Sequence, residues 1–267
     1  MTTTETGTFL GRIPFARVGA RPDPVLVVAG AQAFVQRPTP DRFARDARRI
    51  ARIMPPGRSF ILVGYDPTPP DYRLGTIGRD LGAILDQLGG KVSVMGISYG
   101  GLAALRAAAD HPELVARLVL LVSAHDFSVE GKRRVHRQID CAARGDLVGL
   151  IEQFVAPFRR PWLNWLLRLQ LHTSRARLVQ MLNEPELIVR GLRAVLDDPL
   201  DTARLARVTA PCLLVGGTRD QFFGDGMQQR TAALLPRASL ELVEGETHML
   251  PRERPRRVAR ALRAFLG

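Results

Sequence analysis

The chain has 267 residues, 46% of them hydrophobic and 24% charged, with a mean hydropathy near zero, which excludes a disordered chain and fits one large domain or a core domain carrying an insertion. No run approaches the ~18–20 apolar residues of a membrane span, and two cysteines, Cys141 and Cys212, make neither a disulfide framework nor a metal cluster. The net charge of +12 is almost wholly arginine, interleaved with apolar residues at helical spacing, and aromatics at 6% are too few for base-stacking platforms, so nucleic-acid binding is not expected.

In chain order, the first stretch, MTTTETGTFLGR, has no basic start followed by an apolar core, so a cytoplasmic chain is expected. Residues 9–18 read as a lead-in strand pair. Pro24 to Val28 is a continuous apolar run, the mark of a strand buried on both faces. Asp41 to Met54 reads as a helix, Ser59 to Val63 as a second buried strand, and Thr76 to Leu88 as a helix stopped by Gly89-Gly90. Val92 to Met95 is a third strand, Gly100 to Asp110 a helix, and Leu118 to Val122 a fourth strand. Strand and helix alternate with short links, which predicts an α/β fold: a mostly parallel sheet flanked by helices.

From Asp126 to Asp201 that alternation stops. Asp146 is placed to cap a helix with apolar Leu147, Leu150, Ile151, Phe154 and Val155. Pro161 opens another, with Trp162, Trp165, Leu166 and Leu169 on one face, and Leu187, Ile188, Leu192 and Val195 mark a third. Strands return at Cys212 to Val215 and Leu240 to Val243, and Pro255 to Phe265 reads as a last helix. The expected organisation is a core of residues 1–125 and 202–267 interrupted by a helical lid, 126–201. Cys212, in its apolar run, is a core residue.

The chemistry concentrates in Gly96-Ile97-Ser98-Tyr99-Gly100, between the third strand and an alanine-rich helix. A serine at so tight a corner has strained backbone angles, and glycines two before and two after relieve the crowding. This is the G-x-S-x-G nucleophile elbow. A serine hydroxyl needs a base, and the base an orienting acid. Asp220 follows the strand in CLLVGGTRDQFF, and His248 follows the strand in ELVEGETHML, giving the order Ser98, Asp220, His248. Asp126, after the fourth strand, is the alternative acid. Asp225 reads as a helix cap, His111 as a surface or capping residue, and His136 and His172 as solvated helical histidines.

These features resemble the α/β-hydrolase fold superfamily, in its serine-hydrolase branch with a helical lid. The likeness covers roughly 25–125 and 205–267. It implies an oxyanion hole after the first central strand, where Ala29-Gly30-Ala31-Gln32 stands in place of the common His-Gly. The backbone N–H groups of Ala31 and Tyr99 are its expected donors, with the Gln32 amide as a further contact. The resemblance implies a cofactor-independent hydrolase, without a metal, that cleaves an ester, lactone or thioester of an apolar acyl group through an acyl-enzyme on Ser98. Gln32, Phe34, Phe154, Trp162, Trp165 and Met249 are the expected pocket residues. An assembly-line thioesterase, a carbon–carbon bond hydrolase and a non-catalytic ligand-binding protein on this scaffold remain as alternatives. Beyond a small-molecule substrate, a second copy of the chain and an acidic carrier protein are candidate partners; a membrane is not.

Overall fold

The buried apolar runs form the centre of one eight-stranded sheet. The structure is a computed structural model and describes residues 4–154 and 158–267; Val155, expected on a helix face, lies outside them. The first two strands, β1 (Thr4–Phe9) and β2 (Ile13–Val18), make an antiparallel hairpin at the sheet edge. It begins earlier than the expected pair, because β1 is a largely exposed, threonine-rich edge strand without the apolar alternation that would reveal it. Next come β3 (Val25–Val28), the short helix α1 (Gln32–Val35), α2 (Pro40–Ala51) and β4 (Phe60–Val63). Every residue of β3 and β4 is buried. Helix α2 has Pro40 at its start, the Thr39 hydroxyl accepting the Arg42 N–H at 3.3 Å, Asp41 in its first turn and Arg48 and Arg49 in its last, the charge order a helix dipole favours.

The chain continues through α3 (Leu74–Gln87), β5 (Val92–Ile97), α4 (Tyr99–Asp110) and β6 (Val115–Leu121). Small residues of α4, among them Gly100, Gly101, Ala103, Ala104 and Ala107, let it lie close against β3, β5 and β6. Between β6 and the next strand the described residues form α5 (Val129–Ala143), α6 (Leu147–Phe154), α7 (Pro161–Gln180), α8 (Pro185–Asp197) and α9 (Thr202–Ala206), and no strand. Then follow β7 (Cys212–Gly217), α10 (Met227–Leu234), β8 (Ala238–Val243), α11 (Leu250–Glu253) and α12 (Pro255–Leu266).

The spatial order is β1-β2-β4-β3-β5-β6-β7-β8, parallel from β4 to β8 and antiparallel at the β1–β2–β4 edge. This is the expected α/β architecture. It sets β5 beside β3 and β6, so whatever leaves its carboxyl end stands mid-sheet. Asp146 caps α6 as expected, its carboxylate accepting the Gly149 N–H at 2.9 Å. Helix α5 carries His136, expected to be helical, but Gly131 and its dense basic residues leave its bounds unmarked in the sequence; Ser128 caps it through the Gly131 N–H at 3.1 Å. Both cysteines are buried and free, and burial pushes the Cys212 thiol up to about 12. No helix among the described residues is long and apolar enough to cross a membrane.

Candidate active site

Ser98 sits between the end of β5 and the start of α4 with φ 54° and ψ −123°, a conformation a non-glycine residue adopts only under constraint. Three contacts hold it there. Its N–H donates to the Leu121 carbonyl at 3.0 Å, its carbonyl accepts the Gly101 N–H at 2.8 Å, and the Ser123 hydroxyl donates to that carbonyl at 2.7 Å. The flanking glycines are required by space. A Cβ on Gly96 would collide with the Gly100 carbonyl, and one on Gly100 with the Val28 and Ala29 carbonyls.

The Ser98 Oγ lies 2.9 Å from His248 Nε2, and His248 Nδ1 lies 2.8 Å from Asp220 Oδ2 and 3.1 Å from Oδ1. Asp220 is buried, and its Oδ1 also accepts the N–H groups of Phe222 and Phe223 at 2.8 and 3.0 Å. A carboxylate so tied cannot rotate away from the imidazole. The ring is bounded by Phe222 and Phe223 at centroid distances of 5.0 and 5.9 Å, and the His248 N–H donates to Gln221 Oε1 at 3.3 Å. Asp126 is not part of this chain; it pairs with Lys132. His125 turns its Nδ1 to the Thr231 hydroxyl at 2.8 Å, and burial lowers its pKa.

The N–H groups of Ala31 and Tyr99 are given to no acceptor among the described residues. Ala31 lies in the αR region just before α1, and Tyr99 opens α4, so both donors are free at the mouth of the elbow. Arg42, which the sequence reading left among the helix-surface arginines, underpins this loop. It is 4% exposed, and its guanidinium donates to the carbonyls of Gln36 (2.6 Å), Arg37 (3.1 Å) and Gln32 (2.8 Å). Asp46 lies 3.4 Å from its Nε, and burial lowers its pKa against the pull of Asp46. Nothing in TPDRFARD separates this arginine from its exposed neighbours, because its partners are backbone carbonyls.

A cavity of about 380 Å³ opens on Ser98 and His248 and is lined by Ala31, Gln32, Phe154 and Met249 among the expected residues. Three expected wall residues lie elsewhere. Phe34 is 2% exposed and belongs to a buried aromatic cluster with Tyr65, Tyr72 and Tyr99, at centroid distances of 5.5, 5.6 and 4.9 Å. Trp162 and Trp165 on α7 are 55% and 63% exposed and do not line the cavity. Phe127, Val135, Phe158 and Leu192, none of them expected, supply apolar wall instead.

Other expected positions resolve as follows. Asp225 is no helix cap: its φ is 52°, Gly226 stands at the start of α10, and no side chain caps that helix. His111 seats its ring against Gly82 of α3. His136 is exposed on α5, while the side chain of His172 on α7 lies outside the described residues. Among the described residues, no group of three or more His, Cys, Asp or Glu side chains is placed to hold a metal ion.

A model of the alpha/beta hydrolase family matches residues 25–261. The chain belongs to the alpha/beta hydrolase family. RutD of Caulobacter vibrioides, whose name assigns it provisionally to carbamate hydrolysis, is 28% identical over 205 residues, 74% of either chain. Among solved structures, the alpha/beta hydrolase MGS-M2 from a deep-sea metagenome superposes with a TM-score of 0.78 at 17% identity, covering 98% of this chain and 97% of its own. The enol-lactonase of Burkholderia xenovorans LB400 does so with a TM-score of 0.70 at 16% identity, covering 98% and 99%. At such identities the structural likenesses speak for the fold, and hydrolysis follows from the family.

Proposed function

We propose that this alpha/beta hydrolase is a cofactor-independent serine hydrolase acting on an ester, lactone or thioester of a small molecule. The observation that carries the reading is the unbroken hydrogen-bonded chain from Asp220 through His248 to the Ser98 hydroxyl. In this reading Ser98 Oγ adds to the substrate carbonyl carbon while its proton passes to His248 Nε2. The carbonyl oxygen becomes an oxyanion, which the Ala31 and Tyr99 N–H groups stabilise. Collapse expels the alcohol or thiol, which takes the proton from His248 and leaves an acyl-enzyme. A water molecule, deprotonated by the same imidazole, then releases the acid. Asp220 holds the Nδ1–H tautomer and balances the charge of the imidazolium.

Phe127, Val135, Phe154 and Leu192 form the apolar side of the acyl pocket, supplied largely by residues 126–201. That segment acts as a lid on a core of 1–125 and 202–267, and it sets substrate choice while the core does the chemistry. The likeness to RutD widens the acyl range to be screened to carbamates.

A fluorophosphonate probe followed by peptide mass spectrometry tests the reading. Covalent modification is expected at Ser98 in the native chain and is lost in His248→Ala. An unmodified Ser98, under conditions where a serine esterase used as a control reacts fully, would remove it.

A further inference from the structure

The lining of the same cavity is not wholly apolar. It includes Arg42, Asp46 and Arg49 from α2 and Arg252 from α11. Three guanidinium groups thus face one carboxylate. That carboxylate is already engaged twice, by Arg42 Nε at 3.4 Å and by Arg49 Nη1 at 3.0 Å. The Arg42 head is further occupied by three backbone carbonyls. Arg252 has no ion pair and no side-chain hydrogen bond among the described residues. The acids nearest it in sequence are turned elsewhere. Glu246 pairs with Arg254 at 2.7 Å and Arg159 at 3.3 Å, and Glu253 accepts the Arg159 N–H at 2.8 Å.

We propose that Arg252 and Arg49 form an anion subsite, so that the substrate is an ester whose acyl part carries a carboxylate or phosphate. The inference rests on the hydrolase reading of the Ser98 end. The chemistry follows from what a guanidinium does when its own protein gives it no acid. It stays charged at any physiological pH, and its planar fork fits two oxygens of a carboxylate or phosphate. Protein crowding around the Arg252 head and the neighbouring Arg49 charge both lower its pKa, with Asp46 opposing, and an anion placed between the two arginines would relieve that repulsion. Apolar wall and guanidinium groups in one cavity fit an acyl chain that carries a charge. It also gives the net charge of +12 a local use, drawing anionic substrate towards the cavity.

The test is a set of matched substrates. Monomethyl esters of glutaric, adipic, suberic and sebacic acid are compared with methyl esters of monocarboxylic acids of equal length. Methyl 6-phosphonohexanoate serves as the phosphate-like arm. At one or more chain lengths kcat/KM should favour the anionic ester by about tenfold or more, mostly through KM. The ratio should shrink as salt rises from about 0.05 to 0.5 M. It should fall towards one in Arg252→Gln, partly return in Arg252→Lys, and turn against the anion in Arg252→Glu. A preference for the phosphonate over every carboxylate would assign the subsite to phosphate.

The same pairs are titrated calorimetrically into Ser98→Ala, so that affinity for the anion is judged without turnover. If Ser98 is not labelled and no ester is cleaved, yet the anionic ligands bind more tightly and lose this in Ser98→Ala/Arg252→Gln, the hydrolase reading fails and the subsite stands. Equal kinetics and equal affinities for charged and neutral partners at every length would overturn the subsite. So would an anion preference that survives in a folded Arg49→Gln/Arg252→Gln double variant.

Discussion

The carboxyl end of the parallel strands and the helical segment between β6 and β7 bound the same cavity by different physics. At the strand ends each side chain is fixed by hydrogen bonds at stated atoms: Ser98 by its strained corner, Asp220 by two backbone N–H groups, His248 between them. In the helical segment the wall residues Phe127, Val135, Phe154 and Leu192 are held by apolar packing alone, which is non-directional and tolerates exchange of one hydrophobic residue for another. Catalysis should therefore be brittle at the strand ends, and selectivity plastic in the helices.

The largest effect expected is at the corner itself. Ser98→Ala should lower turnover by about 10,000-fold or more, with the thermal midpoint nearly unchanged, since the change removes only a hydroxyl that meets His248. Steady-state kinetics and a thermal melt on the same preparation check both halves. Substantial remaining activity would remove the distinction between the two regions. Next stands the acid. Asp220→Asn should cost about 10,000-fold, as the amide favours the wrong imidazole tautomer, whereas Asp126→Asn should cost less than about tenfold because Asp126 serves Lys132. The reverse ranking would move the acid to the end of β6.

A third comparison concerns Arg42, which lies in the core and, beside its ion pair with Asp46, donates its hydrogen bonds only to carbonyls. Arg42→Met keeps the volume near that of the native side chain but leaves the carbonyls of Gln32, Gln36 and Arg37 without their donor. The loop bearing Ala31 then loses its brace. A fall in kcat of about 100-fold with little change in KM is expected, the size of one displaced oxyanion donor, and Arg42→Lys should recover part of it. A fall confined to KM, or a protein merely less stable with unchanged kcat, would make Arg42 packing rather than positioning.

The two regions also differ in how much could be read beforehand. The Ser98 corner is legible because its requirements are local: the strand, the two glycines and the small residues of α4 lie within a few positions of one another. Asp220 and His248 are legible because parallel strands deliver their carboxyl-terminal loops to one side of a sheet, so residues distant in the chain converge. The arginine brace is not local. Its hydrogen-bond acceptors lie five to ten positions away and are main-chain atoms, which every residue carries. Gln32, Phe154 and Met249 line the cavity as expected, and the rest of its wall is illegible for another reason. A helix period shows that a face is apolar, not which neighbour it meets. Helix α7 has apolar residues around much of its girth, and the stripe through Trp162, Trp165, Leu166 and Leu169 proves to be the outward one. Phe34, next to the expected oxyanion loop, turns instead into the tyrosine cluster and against Gly191.

The smallest expected effect is therefore at the tryptophans, and it sharpens the comparison most. Trp162→Ala and Trp165→Ala remove large side chains that are more than half exposed and that the cavity does not contain. Each should change kcat/KM by less than about threefold, for acetyl and long-chain esters alike, and stability by less than about 0.5 kcal/mol. Phe127→Ala and Leu192→Ala supply the contrast. Both residues are buried, on opposite flanks of the helical segment in the sequence, and both line the cavity. Truncating either should cost about 1–3 kcal/mol of transition-state binding for a long acyl chain, roughly 5–150-fold in kcat/KM, and much less for acetyl, which does not reach the wall. Their thermal midpoints should also fall, because a buried large-to-small change leaves a cavity behind. Chain-length profiles of kcat/KM, corrected for the active fraction by fluorophosphonate titration of Ser98, separate lost contact from lost protein. A long-chain defect in the tryptophan variants but not in Phe127→Ala or Leu192→Ala would mean that α7 turns its tryptophans inward when substrate is bound, and the segment would then have to be treated as a moving cover rather than a fixed wall.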